Sequence, residues 1–335
     1  MKVVKGTETI VNPLQKSSLH KKGLCDYVIN IASGCLHGCT FCYVPSTPAI
    51  RARQSELMSR GVENPQLDWG KYLFLRQEIP EKLDIILSRK RIWNYTPSGK
   101  GVVLLCSGTD PYQNAETALI TRQTIEVLIK HQKRVRILTR SPRWVKDLDL
   151  LKNPNITVGM SLPHLNDHLS RQIEPYAPLP SLRFEALKAG YEAGCRLYVA
   201  LAPTPPEMDY EEFHHLLSKV LELKPEVIFW EPINARGTNG RRMQAAGLDF
   251  AESVMSRDAW ANSFVHQWEA IERAALELDC TERLHIWVDA ELEHYVPASK
   301  LQAWFYRPTC ERWLADPYSP LDSYPLIDVE SISNR

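Results

Sequence analysis

Gly34-Cys35-Leu36-His37-Gly38-Cys39-Thr40-Phe41-Cys42-Tyr43 sets three cysteines in a C-x3-C-x2-C spacing, with an aromatic residue directly after the third. Thiolates this close in sequence form one compact loop able to ligate three corners of a metal cluster. Cysteine thiolates are the ordinary ligands of iron–sulfur clusters, normally four for a [4Fe-4S] cube. With three, one iron stays open, and a small molecule can bind there. Zinc is the competing reading. A structural zinc site takes four Cys or His ligands, often as two separated pairs. His37 could serve as the fourth ligand, but no second C-x2-C pair follows. The ligand rules favour the cluster. A disulfide framework does not suit a 335-residue chain with eight cysteines. Its opening, Met1-Lys2-Val3-Val4-Lys5-Gly6, also lacks the apolar core of a secretion signal.

Working outward, Asp26-Tyr27-Val28-Ile29-Asn30-Ile31 is β-rich and leads straight into the cysteine loop. A strand feeding a ligand loop is the arrangement at the C-terminal face of α/β barrels. The alternation continues. Strands are expected at 101–106, 134–139, 156–161, 196–201 and 226–230, and helices at 79–91, 115–131, 142–151 and 181–194. Pro80 lies in a first helical turn and Gly194 just past a helix end, as helix termini favour. Strands alternating with long helices imply βαβ units and a parallel sheet, hence an α/β fold. Residues 1–25 read as a polar arm, and 45–65 as irregular. Residues 241–335 read as a helix-rich extension covering the open side of the sheet, with an extra strand at 284–288. The expected division is an arm (1–25), one barrel-like core (26–240) and a helical cover (241–335).

Composition excludes some classes. The 44% hydrophobic and 24% charged content is ordinary for a globular chain. No run of about eighteen apolar residues suggests a membrane span. A reducing cytoplasm is the expected setting, since an exposed cluster requires one. Forty basic and forty acidic residues cancel, and the pI is near 7.1. A dedicated nucleic-acid binder usually carries a basic excess or stripe. The groups Lys21-Lys22, Arg89-Lys90-Arg91 and Arg241-Arg242 read better as solvated faces. Arg51, Arg53 and Arg60, close to the cysteine loop in sequence, suit an anionic substrate or a carboxylate, and equally the surface.

The cysteine loop resembles the motif of the radical S-adenosylmethionine (SAM) superfamily. That resemblance implies a [4Fe-4S] cluster on Cys35, Cys39 and Cys42 whose fourth iron chelates the amino and carboxylate groups of SAM. The reduced cluster then cleaves SAM to methionine and a 5′-deoxyadenosyl radical. Six strand–helix units match the partial (β/α)6 barrel the resemblance implies. Further segments narrow it: Ser107-Gly108-Thr109-Asp110-Pro111-Tyr112-Gln113, Ile137-Leu138-Thr139-Arg140-Ser141, Ile173-Glu174-Pro175-Tyr176-Ala177-Pro178, Leu182-Arg183 and Ala193-Gly194. With Asn30 and His37-Gly38, these are similar to the spore photoproduct lyase-related branch over roughly residues 25–235, a branch that includes peptide-modifying spliceases.

By that resemblance, Cys106 at the end of a strand sits where the lyase keeps a cysteine that returns a hydrogen atom to a substrate radical. Tyr43 resembles the aromatic residue proposed to share the relay. Arg140 and Ser161 fall where a lysine and a serine contact SAM. Gly108 departs from a SAM-binding serine, with Thr109 next door. Chemistry agrees: Arg140 can pair with the SAM carboxylate, and hydroxyls at Ser161 and Thr109 can bond carboxylate or ribose. Glu174-Pro175 orients a backbone carbonyl or binds ribose, or else is simply a turn before a helix. The residues alone equally allow Cys106 as a buried small hydrophobe at a strand end. Cys25, Cys195 and Cys280 read as structural thiols, while Cys310 and the loop 231–240 are left open between site and connector. Trp260, Trp268, Trp287, Trp304 and Trp313 read as packing residues.

The expected activity is lyase-type radical scission of a macromolecule. The charge balance leans the substrate towards a peptide or protein; repair of a DNA photoproduct and a non-catalytic metal scaffold are the alternatives. Expected partners are a reductant such as flavodoxin or ferredoxin and a small substrate-delivery protein.

Overall fold

The protein is described from a computed structural model covering residues 3–19, 24–89, 93, 101–286, 291–297 and 299–300. The strands are β1 (Val4–Thr7), β2 (Gln15–Lys16), β3 (Tyr27–Ile29), β4 (Ala32–Ser33), β5 (Tyr72–Leu75), β6 (Val102–Leu105), β7 (Arg134–Thr139), β8 (Ile156–Ser161), β9 (Arg196–Thr204), β10 (Val227–Pro232) and β11 (Leu284–Ile286). Among the described residues, one sheet runs β2-β3-β6-β7-β8-β9-β10-β11. Every pair from β3 to β11 is parallel, and β2 adds an antiparallel edge. Each strand lies beside its predecessor, so the chain winds one way round, as a barrel does, without the reversal of a doubly wound sheet. No pairing of β2 with β11 closes the ring among the described residues. The architecture is a partial α/β barrel.

Alternation along the strands sorts two faces. Tyr27, Ile29, Val103, Leu105, Val135, Ile137, Val199 and Trp230 pack with Leu83, Ile125, Leu187, Phe213 and Phe264 from the helices. The opposite parity forms a second cluster of Val28, Val102, Leu104, Tyr198, Val227 and Phe229, closed by Leu24 and Cys25. Buried Arg136 belongs to this inner parity and donates to the Leu24 carbonyl at 2.6 Å. Gly159 leaves the room that the Tyr198 ring fills, since a Cβ there would lie 2.1 Å from Cζ. Asn30, Arg140, Ser161 and Glu231 continue the inner parity at the carboxyl ends of neighbouring strands.

Four features depart from the sequence reading. The expected helix over 142–151 is a 3-10 turn, Pro142–Asp147, followed by Leu148–Leu151; Asp147 at the junction is held by Tyr112 and Arg122. The stretch 45–65 contains short helices, Pro48–Arg51 and Gln54–Ser59. Residues 4–7 are a strand, β1, parallel to β5, and β4 pairs antiparallel to β5 on its other side. Helix Arg257–Glu277 sits in the outer layer, where Phe264 stacks at 6.1 Å on Trp230 and Trp268 is buried. It leads to β11, a seventh parallel strand, which lies where the extra strand was expected. Cys310, Trp287, Trp304 and Trp313 lie outside the described residues, as do Lys21-Lys22 and residues 287–288 of the expected strand.

Candidate metal centre

The cysteine loop lies at the carboxyl end of β3 and is fastened from several sides. Gly34 has φ +87, and a Cβ there would meet the Tyr72 carbonyl oxygen at 2.2 Å. Only glycine takes both the conformation and the approach. The Thr109 hydroxyl donates to the Gly34 carbonyl at 2.5 Å, and Gln113, itself held to Thr109, accepts from Leu36 N at 2.6 Å. Thr40 N and Oγ1 both donate to Ile173 O, at 2.9 and 3.0 Å. Tyr176 N donates to His37 O at 3.2 Å.

A third side comes from the segment after β10. Asn239 Nδ2 donates to Phe41 O at 2.9 Å. Arg242 donates to Thr40 O (3.2 Å), Gln66 O (2.8 Å) and Cys42 O. The loop 231–240, left open between substrate holder and connector by sequence, is thus built against the cysteine loop: Thr238 N donates to Ser46 Oγ, and Gly237 leaves room for that side chain. Apolar packing completes the seat. Cys35 packs with Ile50, Leu57, Trp69 and Tyr72, and Cys39 with Phe41, Ile173, Met243 and Phe250.

Burial pushes all three thiols above the usual range, opposed at Cys39 by Arg140 and at Cys42 by the Val44 N–H and Arg242. His37 Nε2 lies 3.2 Å from buried Asp110 Oδ2. Burial would raise the Asp110 carboxyl, yet His37, the Arg140 N–H and Thr139 hold it below the usual value.

Arg140 and Glu174 meet here. Arg140 Nε lies 2.5 Å from Glu174 Oε1, and Arg183 Nη2 lies 2.5 Å from Oε2. Burial alone would raise Glu174, but Arg183 and Arg140 bring it down to about 2. Both carboxylate oxygens are therefore committed to arginines, with Ser170 Oγ and Cys39 Sγ further out at 3.4 and 3.8 Å. Arg140 also donates from Nη2 to Ala202 O at 3.3 Å.

The other expected site residues are distributed as follows. Ser161 is buried at the mouth end of β8, and its carbonyl accepts from Arg183. The Thr109 hydroxyl is engaged with Gly34 and Gln113, inside the seat of the cysteine loop. Tyr43 is half exposed. Cys106 follows β6, but its thiol joins the cluster between sheet and helices beside Leu105, Ile31 and Ala32, and it is pushed up to about 12 by burial. Asn30 Oδ1 accepts from Ser107 N and Gly108 N at 2.9 and 2.7 Å, fixing the turn after Cys106. Arg53 and Arg60, with Arg76, surround buried Glu8, so the carboxylate they meet is the chain's own.

A metal or cluster is tested here by the donor set. The buried thiols of Cys35 and Cys39 and the partly buried one of Cys42 share one loop, two guanidinium groups act on them, and backbone donors fix their spacing. Among the described residues no three His, Cys, Asp or Glu side chains converge as ligands of a single ion. A cube, which takes each thiolate on a different iron, needs no such convergence. Burial keeps the thiols protonated without a cation, and cluster binding would displace those protons. The residues fit a three-thiolate cluster.

Sequence reasoning missed Arg242, Asn239, Gln113 and Asp110 as parts of this site. Asp110 and Gln113 lay inside a segment that carries the resemblance, Asn239 inside the loop 231–240, and Arg242 in a pair read as a solvated face, whereas it is buried against the cysteine loop. Arg242 and Asn239 act on a loop about two hundred positions upstream, and no local pattern signals that.

The protein is 29% identical over 237 residues to the uncharacterized protein ORF301 of Acidianus two-tailed virus, covering 68% of this chain and 71% of the relative. It is 27% identical over 183 residues to the uncharacterized protein MJ0683 of Methanocaldococcus jannaschii, covering 54% and 61%. A Mycobacterium tuberculosis relative, the uncharacterized protein Rv2578c, is 26% identical over 187 residues, and the chain spans half of its length. Among solved structures, a cysteine-to-serine mutant of spore photoproduct lyase superposes with a TM-score of 0.59 at 15% identity, covering 85% of this chain and 81% of that one. A spore photoproduct lyase mutant with bound AdoMet and dinucleoside spore photoproduct gives a TM-score of 0.57 at 14% identity over the same shares. These likenesses show a common fold. The radical SAM superfamily itself matches residues 29–220, more than half of the sequence and the whole span from β3 to the helix before β10, so this chain belongs to the radical SAM superfamily.

Proposed function

We propose that the chain holds a [4Fe-4S] cluster on Cys35, Cys39 and Cys42, and that it carries out a lyase-type radical scission on a macromolecular substrate, a peptide or protein in preference to DNA. The observation that carries the reading is the cysteine loop seated at the carboxyl ends of a parallel sheet, in a chain of the radical SAM superfamily. The cluster, when bound and reduced, supplies the electron that cleaves SAM to a 5′-deoxyadenosyl radical.

The chain's own residues do the rest. Glu174 and Ala202 O hold the Arg140 guanidinium in place, leaving further N–H donors of its five for the carboxylate of SAM. Ser161 offers a hydroxyl on the inner parity of β8. Glu174 itself acts by orienting Arg140, and Thr109 by anchoring Gly34. Cys106, kept protonated by burial, is assigned the return of a hydrogen atom, with Tyr43 sharing the relay. A weak S–H bond suits that role. A one-electron carrier of the flavodoxin or ferredoxin kind supplies the reductant, and a small protein delivers the substrate.

Balanced charge supports the peptide reading, because a dedicated nucleic-acid binder usually carries a basic excess or stripe. The DNA reading has its own support in the fold shared with spore photoproduct lyase. Anaerobic reconstitution with iron, sulfide, SAM and dithionite tests the core of the proposal. Release of 5′-deoxyadenosine is expected, and its absence would leave a metal-binding scaffold. Turnover of a dinucleoside photoproduct, or DNA binding that falls steeply with salt, would move the substrate to DNA.

A further inference from the structure

Arg242 is 8% exposed, yet every acceptor it meets among the described residues is neutral: the carbonyls of Thr40, Cys42 and Gln66, and the Thr238 hydroxyl at 3.4 Å. Fully buried Arg183 and partly buried Arg140 share the carboxylate of Glu174, and the partly buried Arg53 and Arg76 share that of Glu8. A buried charge without a counter-charge is costly, and folded chains normally supply one. The groups on which the Arg242 charge acts are Cys42 and Cys39, with the Tyr72 phenol behind them.

We propose that Arg242 is the counter-charge of the cluster thiolates, and that it both clamps the loop from Thr40 to Cys42 and raises the reduction potential of the cluster. The inference rests on the reading of Cys35, Cys39 and Cys42 as cluster ligands. Three thiolates outweigh the positive charge of an oxidised cube, so the assembly is a net anion. An electron from an external donor adds one more negative charge without breaking or forming a bond. A fixed guanidinium beside two of the thiolates stabilises the reduced form more than the oxidised one; nearby charge and hydrogen bonds are known levers on cluster potential. Arg242 is a positioning residue, because it touches the loop carbonyls.

The test is an EPR-monitored dithionite titration of the anaerobically reconstituted full chain, alongside the rate of iron loss to a chelator. The parent, Arg242→Lys and Arg242→Gln are compared. Arg242→Gln is expected to be at least about tenfold harder to reduce, a fall of about 59 mV for one electron. Arg242→Lys keeps the charge and loses the fork, so its potential stays near the parent's while iron is lost faster. Arg242→Gln at the parent's potential, or Arg242→Lys shifted as far as Arg242→Gln, would overturn the proposal. If only Arg242→Gln fails to retain iron, the need for charge stands. If Arg242→Lys loses iron as fast as Arg242→Gln, the need for charge falls. A parent that takes up no cluster defeats the underlying reading. A parent that loads normally with variants indistinguishable from it defeats the role of Arg242 alone.

Discussion

Arg140 Nε sits 2.5 Å from Glu174 Oε1, and the carboxylate that receives it is fully buried between two guanidinium groups. Removing its charge strands Arg183, which has no exposure to water, and unpairs the partly buried Arg140. Glu174→Gln is expected to cost roughly 3–5 kcal/mol of folding stability, the usual loss on breaking a buried pair from one side. Urea unfolding of the cluster-free protein measures it. A loss below about 1 kcal/mol, typical of an exposed pair, would show that the network adds little.

Glu8 provides a pH signature. Burial alone would raise its carboxyl, but hydrogen bonds from Arg53 and Ser33 and the charge of Arg76 bring it below the ordinary value of 4.5. A carboxylate depressed by folding contributes stability that is fully present above its unfolded pKa and lost as pH falls through the folded one. The stability difference between the parent and Glu8→Gln should be constant near neutrality and shrink below about pH 4.5. A difference independent of pH down to 3 would mean that Glu8 does not titrate as folded chemistry requires.

Gly34 sets the entry to the cysteine loop. Gly34→Ala combines a left-handed backbone, at roughly 1–2 kcal/mol, with a collision against the Tyr72 carbonyl. Iron uptake on reconstitution should fall well below the parent's, with far-UV circular dichroism unchanged. Gly61, with φ +91 and open space around it, supplies the control that carries the backbone cost alone. Equal iron uptake by Gly34→Ala and Gly61→Ala would remove the steric argument.

Cys106 separates radical quenching from packing. Cys106→Ala should still release 5′-deoxyadenosine while giving altered or trapped products. Unchanged products would leave the residue a core thiol, as its packing beside Ile31 and Leu105 already permits.

The parallel strands were legible because each is a short apolar run ahead of a helix-length segment, and β3, β6, β7, β8, β9 and β10 lie where that pattern puts them. The cysteine loop was legible from spacing. β1 and β5 were not: Val4 pairs with Tyr72, and nothing local in Val4–Thr7 announces a partner so far along the chain. Nonlocal polar ties escaped for the same reason. The arginines at 53 and 60 suited an anionic substrate, a carboxylate or the surface, and only the fold shows that they meet Glu8. Thr109 looked like a ligand hydroxyl and is spent on Gly34. In each case local chemistry indicated the kind of group bound, and tertiary contact decided which one.

The central claim is a cluster on three cysteines with one iron left open to a small molecule. EPR of anaerobically reconstituted, dithionite-reduced protein, recorded with and without SAM, tests it most directly. A four-iron signal whose shape changes on adding SAM, and which disappears in Cys35→Ala, Cys39→Ala and Cys42→Ala, is the expected result. Tightly held zinc without a cluster signal, or a signal indifferent to SAM, would contradict the account.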